Sequence, residues 1–405
     1  MKGATNHLTP GQRVAYYRRR RGMSQTVLAE LVGKTVSWIE KIESGRANLQ
    51  VLPNIARLAE VLDIAPYELL PDDIVDVEAL TRGRSVPALR QRLLSYRFVN
   101  PHYLSEESPP VSLDVLTQAV SGIWSAYQAS RFGYVVAELH RLLPIASATA
   151  HASSDQAKQA AEVQMAYLYQ VASCVLTKLG EQDLAFNCAD RGDRLVQDSD
   201  DLGAKTSVQR SIAHALLSNA QYDDAMAVVE HTLRLIPAGT RDPRLISTLG
   251  TLHLVGAMTA ARMKNRAAAQ EHLGHAQIAS VALGEDANYL WTAFGPTNVA
   301  IHRASVAAEL GDYQRAAALG ERIDVSPMPM ERQVRHRLEV ARALHFQRRQ
   351  RDALALVMRA EASAPEQVRR HFLTHALLHD WLRSRHMAPS ADLHSLARRA
   401  GVLVA

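Results

Sequence analysis

The chain has 405 residues, enough for two or three domains, and 47% of them are hydrophobic while only 5% are aromatic. Its two cysteines are too few for a disulfide framework. The first ten residues lack the apolar core of a signal peptide, and no stretch approaches 18 uninterrupted apolar residues. Composition therefore excludes disulfide-rich and membrane-spanning classes and predicts a mostly helical, cytoplasmic protein without a membrane partner.

The stretch 22–45, GMSQTVLAELVGKTVSWIEKIESG, predicts two short helices joined by a tight turn. Ser24 and Thr35 are natural N-caps, and Gly33 supplies a turn residue for which positive φ is cheap. Two helices that cross through such a turn form a helix-turn-helix, whose second helix fits the major groove of DNA. Apolar spacing extends the pattern to five helices at about 10–21, 25–32, 36–44, 53–62 and 66–70. Their predicted core consists of Val14, Tyr17, Met23, Leu28, Leu31, Ile39, Ile42, Ile55, Leu58 and Leu62.

Residues 9–70 resemble the Cro/lambda-repressor-type helix-turn-helix domain of the xenobiotic-response-element family. The resemblance is carried in register by GMSQ, LAELVG, IEKIESG and IARLAEVLDI. Residues 1–70 carry ten Lys and Arg against six Asp and Glu, so about +4 of the chain's net +5 lies there. Such a charge asymmetry is typical of a DNA-binding head on a nearly neutral remainder.

The resemblance implies roles for individual residues of this head. Arg18 is expected to pair with Glu43 and tie the first helix to the third. Contacts with DNA phosphates are expected from Gln25, Arg46 and Asn48. Base edges are expected to be met by Val36, Ser37 and Lys41, with Lys34 and Glu40 flanking them. Thr35 and Trp38 complete the candidate DNA-binding residues at the start of the third helix. Because Trp38 is bulky, packing on the seam between the second and third helices is favoured over base contact.

Catalytic and metal-binding motifs are absent from the sequence. The GKT at 33–35 is not a phosphate loop, because Leu28 stands where the required glycine would be. We therefore expect no enzyme activity, no cofactor and no metal. The spacing of His371, His375 and His379 predicts one helical stripe, but no acidic or cysteine partner accompanies them. An inert interface is the default interpretation, with metal binding and pH-sensitive packing as alternatives.

The remainder predicts a linker with one helix over residues 71–110 and an array of helix pairs over 111–405. Seven pairs are visible, and five of their hinges read LGEQDLA, NAQYDDA, MKNRAAA, LGDYQRA and QRRQRDA. Alanines at 185, 225, 268, 316 and 353 recur every 40 or so residues. The array resembles the tetratricopeptide repeat, although its period is longer. The expected fold class is all-α: a five-helix DNA-binding head at 1–70 followed by a tetratricopeptide-like α-solenoid, whose first helices line a groove.

A helix-turn-helix head on such an array resembles the Rgg/PlcR-type peptide-pheromone receptors. The resemblance implies a homodimer that binds a double-stranded DNA operator and a short peptide in the groove. Candidate ligand-binding residues are polar or aromatic positions on first helices: Gln164, Tyr167, Arg210, His214, His253, Thr297, Asn298 and His302. The alternatives are an array that serves only dimerisation, and an interaction scaffold with a weak DNA-binding head. Each candidate singly is also compatible with an ordinary surface or inter-helix position.

Overall fold

The computed structural model describes residues 8–47, 52–62, 64, 69, 85–94, 109–384 and 390–403. The chain divides into two compact units, Met1–Ala88 and Leu89–Ala405. Over the described ranges the secondary structure is helical, apart from an isolated bridge between Ala287 and Phe294. The all-α fold class, with a helix-turn-helix head followed by a helical array, is confirmed. No helix in these ranges is long and apolar enough to cross a membrane.

Four helices of the head are described, each within two residues of its predicted bounds. They are α1 Pro10–Arg20, α2 Gln25–Val32, α3 Val36–Glu43 and α4 Leu52–Val61. Local chemistry fixes where they begin: the hydroxyls of Ser24 and Thr35 accept hydrogen bonds from the third residue of their helices. Gly33 ends α2 with φ 72°. The predicted fifth helix at 66–70 lies outside the described residues except for Leu69.

The head has one small core between its helices. Most predicted members are buried there, namely Val14, Leu28, Ile39, Ile42, Leu58 and Leu62, with Tyr17 partly buried against them. Leu31 was wrongly included, because α2 turns Ala29 and Val32 inward and leaves Leu31 45% exposed. Met23 is only half-buried, and the side chain of Ile55 is outside the described part.

The backbones of α1 and α3 touch at Gly11. A Cβ atom on Gly11 would lie 2.0 Å from the carbonyl oxygen of Ile42, so only glycine fits. We expect Gly11→Ala to destabilise the head by at least the roughly 1–3 kcal/mol of an overpacked core. Hydrogen exchange of the head amides in the full chain measures the loss. Gly274→Ala, in a helical site with no atom within 4 Å, is the control and should not destabilise. Unchanged protection of the Gly11→Ala head would contradict the close approach.

The second unit contains the predicted helix pairs. A connecting helix, α5 Ser85–Leu94, lies within the stretch 71–110, for which a linker with one helix is predicted. The paired helices that follow are α6 Leu113–Gln128 with α7 Phe132–Ala152; α8 Asp155–Lys178 with α9 Gln182–Val196; α10 Leu202–Ser218 with α11 Tyr222–Leu235; α12 Pro243–Arg262 with α13 Arg266–Leu283; α14 Pro296–Glu309 with α15 Tyr313–Gly320; and α16 Met330–Phe346 with α17 Gln350–Ser363. The last pair is α18 Pro365–Arg370 and α19 Phe372–Arg383 with α20 Ala391–Arg399.

The hinges inside the pairs share one backbone turn. Six of them place a residue at positive φ at the same point, whatever its type: Ser130, Gly180, Ala220, Lys264, Gly311 and Arg348. The alanine that follows is buried at 185, 225, 316 and 353, as the sequence pattern predicts. In the hinge at Lys264 the buried alanine is Ala269, whereas the predicted Ala268 is only partly buried. The repeat therefore exists in backbone geometry even where its residues vary.

The single helix predicted to carry His371, His375 and His379 is two helices, broken at His371. The backbone of His371 is extended (ψ 130°), and its Nδ1 accepts a hydrogen bond from the backbone of Leu373 at 3.1 Å. The three histidines therefore do not form the predicted stripe. His371 is buried, His375 Nε2 lies 2.7 Å from the carbonyl oxygen of Arg369, and His379 is exposed. The described residues contain no group of three His, Cys, Asp or Glu side chains that could hold a metal ion.

The second unit closes on itself, because its first pair contacts its last. The hydroxyl of Ser130 donates to Gln367 Oε1 at 2.7 Å, and the backbone of Gly133 donates to Glu366 Oε2 at 2.8 Å. These partners are 237 and 233 positions apart. The two ends of the α-solenoid thus meet, and we call the resulting closed array the ring; its helices surround an interior space.

Candidate functional site

The face of α3 available to a partner is small. Ser37 and Lys41 are exposed, whereas Val36 and Trp38 are half-buried against the head core. The hydroxyl of Thr35 accepts from the backbone of Trp38 at 3.2 Å and serves as the N-cap. Trp38 therefore packs against the head, as favoured above. The Nζ of Lys34 lies 5.7 Å from the Trp38 ring centroid, a cation–π distance.

A buried ion pair positions α3 against α1. Arg18 Nε lies 2.6 Å from Glu43 Oε1, and its Nη2 lies 2.8 Å from Oε2. The Nη1 of Arg18 donates to the carbonyl oxygen of Met23 at 2.8 Å. The hydrogen bond to Glu43 raises the pKa of Arg18 above its usual value. This is the tie that the sequence resemblance implies, and it holds the bidentate geometry that favours arginine.

The predicted phosphate contacts have different surroundings. The Gln25 side chain is engaged within the head, because its Nε2 donates to Glu43 Oε2 at 2.9 Å. Arg46 is exposed, with its Nε 3.1 Å from the Ser44 hydroxyl. Asn48 lies outside the described residues. Among the described members of this set, Arg46 therefore has a charged side chain that is exposed and can contact a phosphate.

The ring interior contains a cavity of about 620 Å³ and, beside it, a smaller chamber of about 90 Å³. The cavity is walled by one residue or more from each of five first helices, including Lys178, His214, Met258, His302 and Arg335. The two spaces share several wall residues, such as Lys178, His214 and His302. First helices therefore line the interior, in agreement with the expected geometry of the groove.

Four of the eight sequence candidates face this interior, namely Arg210, His214, Asn298 and His302. The other four stand elsewhere. His253 meets the second helix of its pair, with its Nδ1 3.0 Å from His272 Nδ1. Tyr167 packs edge-on against Trp291, and Gln164 lines neither space. The backbone of Thr297 donates to Asp286 at 3.0 Å, so Thr297 belongs to the start of α14.

The ion pairs of the interior were not predicted from the sequence. Lys178 Nζ lies 2.5 Å from Glu331 Oε1, and Arg335 Nη2 lies 2.8 Å from Glu339 Oε1. Burial alone would raise the pKa of Glu331, but Lys178 and Arg332 lower it to about 2. The charged run MERQVRHRLEVAR of α16 was the signal for them that the sequence offered. Its simplest interpretation is a first helix that faces solvent or the groove.

Three histidines line the interior, namely His214, His302 and His371, and burial lowers the pKa of each, so they are neutral at neutral pH. Burial lowers the pKa of His302 to about 3, and nearby Arg332 lowers it further. Burial and then Lys178 lower the pKa of His214 well below its usual value. The interior is therefore an electropositive environment, in which protonation of a histidine is disfavoured.

The loop between α13 and α14, residues 284–295, lines the small chamber and is held in place by side-chain contacts. Trp291 stacks on Trp124 with ring centroids 4.9 Å apart and planes 3° from parallel. The side-chain amides of Gln128 and Asn288 exchange two hydrogen bonds of 2.9 Å. Three non-glycine residues of the loop have positive φ: Leu290 at 50°, Trp291 at 54° and Ala293 at 47°. Such backbone strain persists only where surrounding contacts over-determine it, and it is concentrated at binding sites.

Comparisons with known proteins place the head. Residues 11–70 match the family described as "Helix-turn-helix domain". No curated protein sequence matches the chain. Among solved structures, PlcR of Bacillus thuringiensis in complex with the peptide PapR7 and DNA aligns with TM-score 0.36 and 15% identity, over 68% of this chain and 95% of that one. ComR of S. thermophilus in complex with DNA and its signalling peptide ComS aligns with TM-score 0.25 and 16% identity, over 75% and 99%. The N-terminal part of this chain is thus a helix-turn-helix domain, and a long helical array follows it.

Proposed function

We propose that this protein is a sequence-specific, DNA-binding transcription regulator whose ring-shaped array dimerises and binds a short peptide. The observation that carries the DNA-binding role is the family match over residues 11–70, together with α3 presenting Ser37 and Lys41 on its exposed face. In helix-turn-helix domains the second helix of the motif lies in the major groove with its early residues at base edges. Lys41 is suited to donate to guanine, and exposed Arg46 to a phosphate.

The interior supports a peptide ligand by its size and its unused hydrogen-bonding atoms. Its 620 Å³ cavity is within the range of about 300–1,000 Å³ typical of ligand sites. Asn298 donates through Nδ2 to the carbonyl oxygen of Ala293 at 2.9 Å, while its Oδ1 is buried without a partner among the described residues. The hydroxyl oxygen of Ser211 is likewise buried without a hydrogen-bond partner among the described residues. A buried polar atom is costly unless bonded, and backbone N–H and C=O groups of a peptide would satisfy both.

Dimerisation completes the proposal. Two heads on one operator gain affinity through effective concentration, without any new contact. Half-sites would then be pseudo-palindromic and spaced by one turn of DNA, about 10–10.5 base pairs, or a multiple of it. A ligand alters DNA binding only as far as it prefers one conformation of the protein, so operator and peptide should change each other's affinity by the same factor.

The test selects binding sites from a random DNA pool with the full chain and then compares variants on them. Lys41→Ala should relax the base preference at particular positions, at a cost of roughly 1–3 kcal/mol each. Arg46→Ala should instead weaken binding to all sequences and make its salt dependence shallower. Lys158→Ala, which removes an exposed lysine of α8, is the control and should change neither.

Three outcomes would contradict parts of this proposal. An unchanged preference and affinity of Lys41→Ala would remove α3 as the base-reading helix. Sedimentation of the protein–DNA complex measures how many chains bind each selected site. A single chain per site would contradict the proposed dimer. Selection that enriches no sequence would leave an interaction scaffold whose head binds DNA weakly.

A further inference from the structure

Arg210 is a cation of the ring interior that has no hydrogen-bond or ion-pair partner among the described residues. It lies on α10 and lines the chamber of about 90 Å³. Its Nε atom is buried and makes no hydrogen bond, and no carboxylate in the described ranges forms an ion pair with it. Burial lowers the pKa of Arg210 from its usual value, and the neighbouring Arg332 lowers it further. A charge in such surroundings destabilises a fold unless something pairs with it.

Arg332 is also incompletely paired. Its Nε is buried without a hydrogen bond, and the nearest carboxylate oxygen in the described part of the chain, Glu331 Oε2, is 3.9 Å away. The Glu331 carboxylate is engaged by Lys178 at 2.5 Å. The chamber therefore contains three cations, Lys178, Arg210 and Arg332, against one carboxylate, and His302 is neutral there. The lining of the chamber thus has an excess of two positive charges, which favours binding of an anion.

The geometry selects the kind of anion. A guanidinium presents its N–H donors in a planar fork that matches the two oxygens of a carboxylate. A chamber of about 90 Å³ admits a compact group, and the adjoining cavity of about 620 Å³ leaves space for the body of a ligand. The strained loop lines the chamber through Trp291 and Ala293, and the chamber shares wall residues with the larger cavity. A ligand held in the cavity can therefore place its acidic end in the chamber.

Building on the proposed function, we propose that Arg210 and Arg332 together bind one carboxylate of the peptide held in the ring interior. The carboxylate is either the C-terminus of the peptide or an Asp or Glu side chain. Lys178 and Glu331 neutralise each other's charge beside this site. The peptide carboxylate neutralises part of the excess positive charge of Arg210 and Arg332.

The experiment uses three pools of random heptapeptides with the full-chain protein. One pool lacks Asp and Glu and has free C-termini, the second is the same pool amidated, and the third is amidated but includes Asp and Glu. Retained peptides are quantified by affinity selection and mass spectrometry. The wild type should retain the first pool, or the third, about tenfold or more over the second, as expected for a charge-assisted bond. The pool that is enriched identifies the source of the carboxylate.

Arg210→Met should abolish this preference, while Arg303→Met should retain it. Arg303 is an exposed arginine of α14 and serves as the matched control. A second measurement needs no peptide: Arg210→Met should raise the midpoint of thermal unfolding of the unliganded protein, because it removes an unpaired charge. An arginine with a merely structural role would lower that midpoint, and Arg303→Met should leave it unchanged.

The failures of the two proposals are distinguishable. Equal retention of all three pools by the wild type would overturn the carboxylate site and leave peptide binding standing. If the wild type retains no peptide, the peptide-sensing proposal fails. The anion site is then tested separately, by the effect of acetate on the midpoint of thermal unfolding. A rise in the unfolding midpoint with acetate that Arg210→Met lacks would support the site. Equal responses of the two proteins to acetate, or a rise with inorganic phosphate alone, would overturn it.

Discussion

Glu331→Gln should lower the free energy of unfolding of the array by about 3–5 kcal/mol, the usual cost of removing one partner of a buried ion pair. The substitution leaves Lys178, Arg210 and Arg332 in one buried space without a carboxylate. Urea unfolding of the full chain, followed by circular dichroism, measures the change. Glu321→Gln is the control, because its partner Arg349 is exposed and such surface pairs contribute about 0–1 kcal/mol. A Glu331→Gln protein as stable as the wild type would contradict this role.

The same residue predicts a pH dependence. The pKa of Glu331 is about 2 in the folded chain, below its ordinary 4.5, so its stabilisation is complete above pH 4.5 and is lost as the pH falls toward 2. Burial lowers the pKa of Lys178 despite Glu331, so the pair as a whole stabilises less than the Glu331 shift alone suggests. Between pH 4.5 and 2 the wild type should lose more stability than Glu331→Gln.

Arg18→Met should unfold the head while the array stays folded. It leaves the buried Glu43 carboxylate without its arginine and the Met23 carbonyl without its donor, at an expected cost of about 3–5 kcal/mol. A domain of about 60 residues has little stability beyond that. Hydrogen exchange should therefore show unprotected amides over residues 8–47 with unchanged protection in the array. DNA binding should be lost on every sequence.

The double substitution Arg18→Met, Glu43→Leu separates the charge from the packing. Replacing both partners of a buried ion pair by apolar residues is often neutral, so the double variant should regain protection and DNA binding. Arg20→Met, which removes an exposed arginine of α1, should leave both unchanged. Protected head amides in Arg18→Met alone would show that the ion pair does not hold the head together.

The helices were predictable because their signals are local. Ser24 and Thr35 bond to backbone atoms three residues away, so a short stretch of sequence contains the cause of each helix start. The break at His371 has no proline or glycine to announce it, since a histidine side chain makes the cap. Closure of the ring was not predictable, because it depends on pairs such as Ser130 with Gln367, 237 positions apart.

The candidate site was predictable only in part, for a related reason. Polar spacing on first helices found Arg210, Asn298 and His302, which face the interior. The same spacing also selected His253, because a first helix in a ring has one face toward the interior and another toward its pair. The two faces look alike in sequence. Lys178 escaped notice because its partner Glu331 is on a distant helix.

The parallel stacking of Trp124 on Trp291 gives the ring interior its own optical signal. Stacked indoles 4.9 Å apart couple electronically, so their near-ultraviolet circular dichroism depends on their separation and mutual angle. The other two of the four tryptophans, Trp38 and Trp381, belong to the head and to α19 and are not part of this stack. Any event that moves the loop away from α6 separates the pair. Opening of the chamber would thus be visible in the circular dichroism of the unlabelled protein.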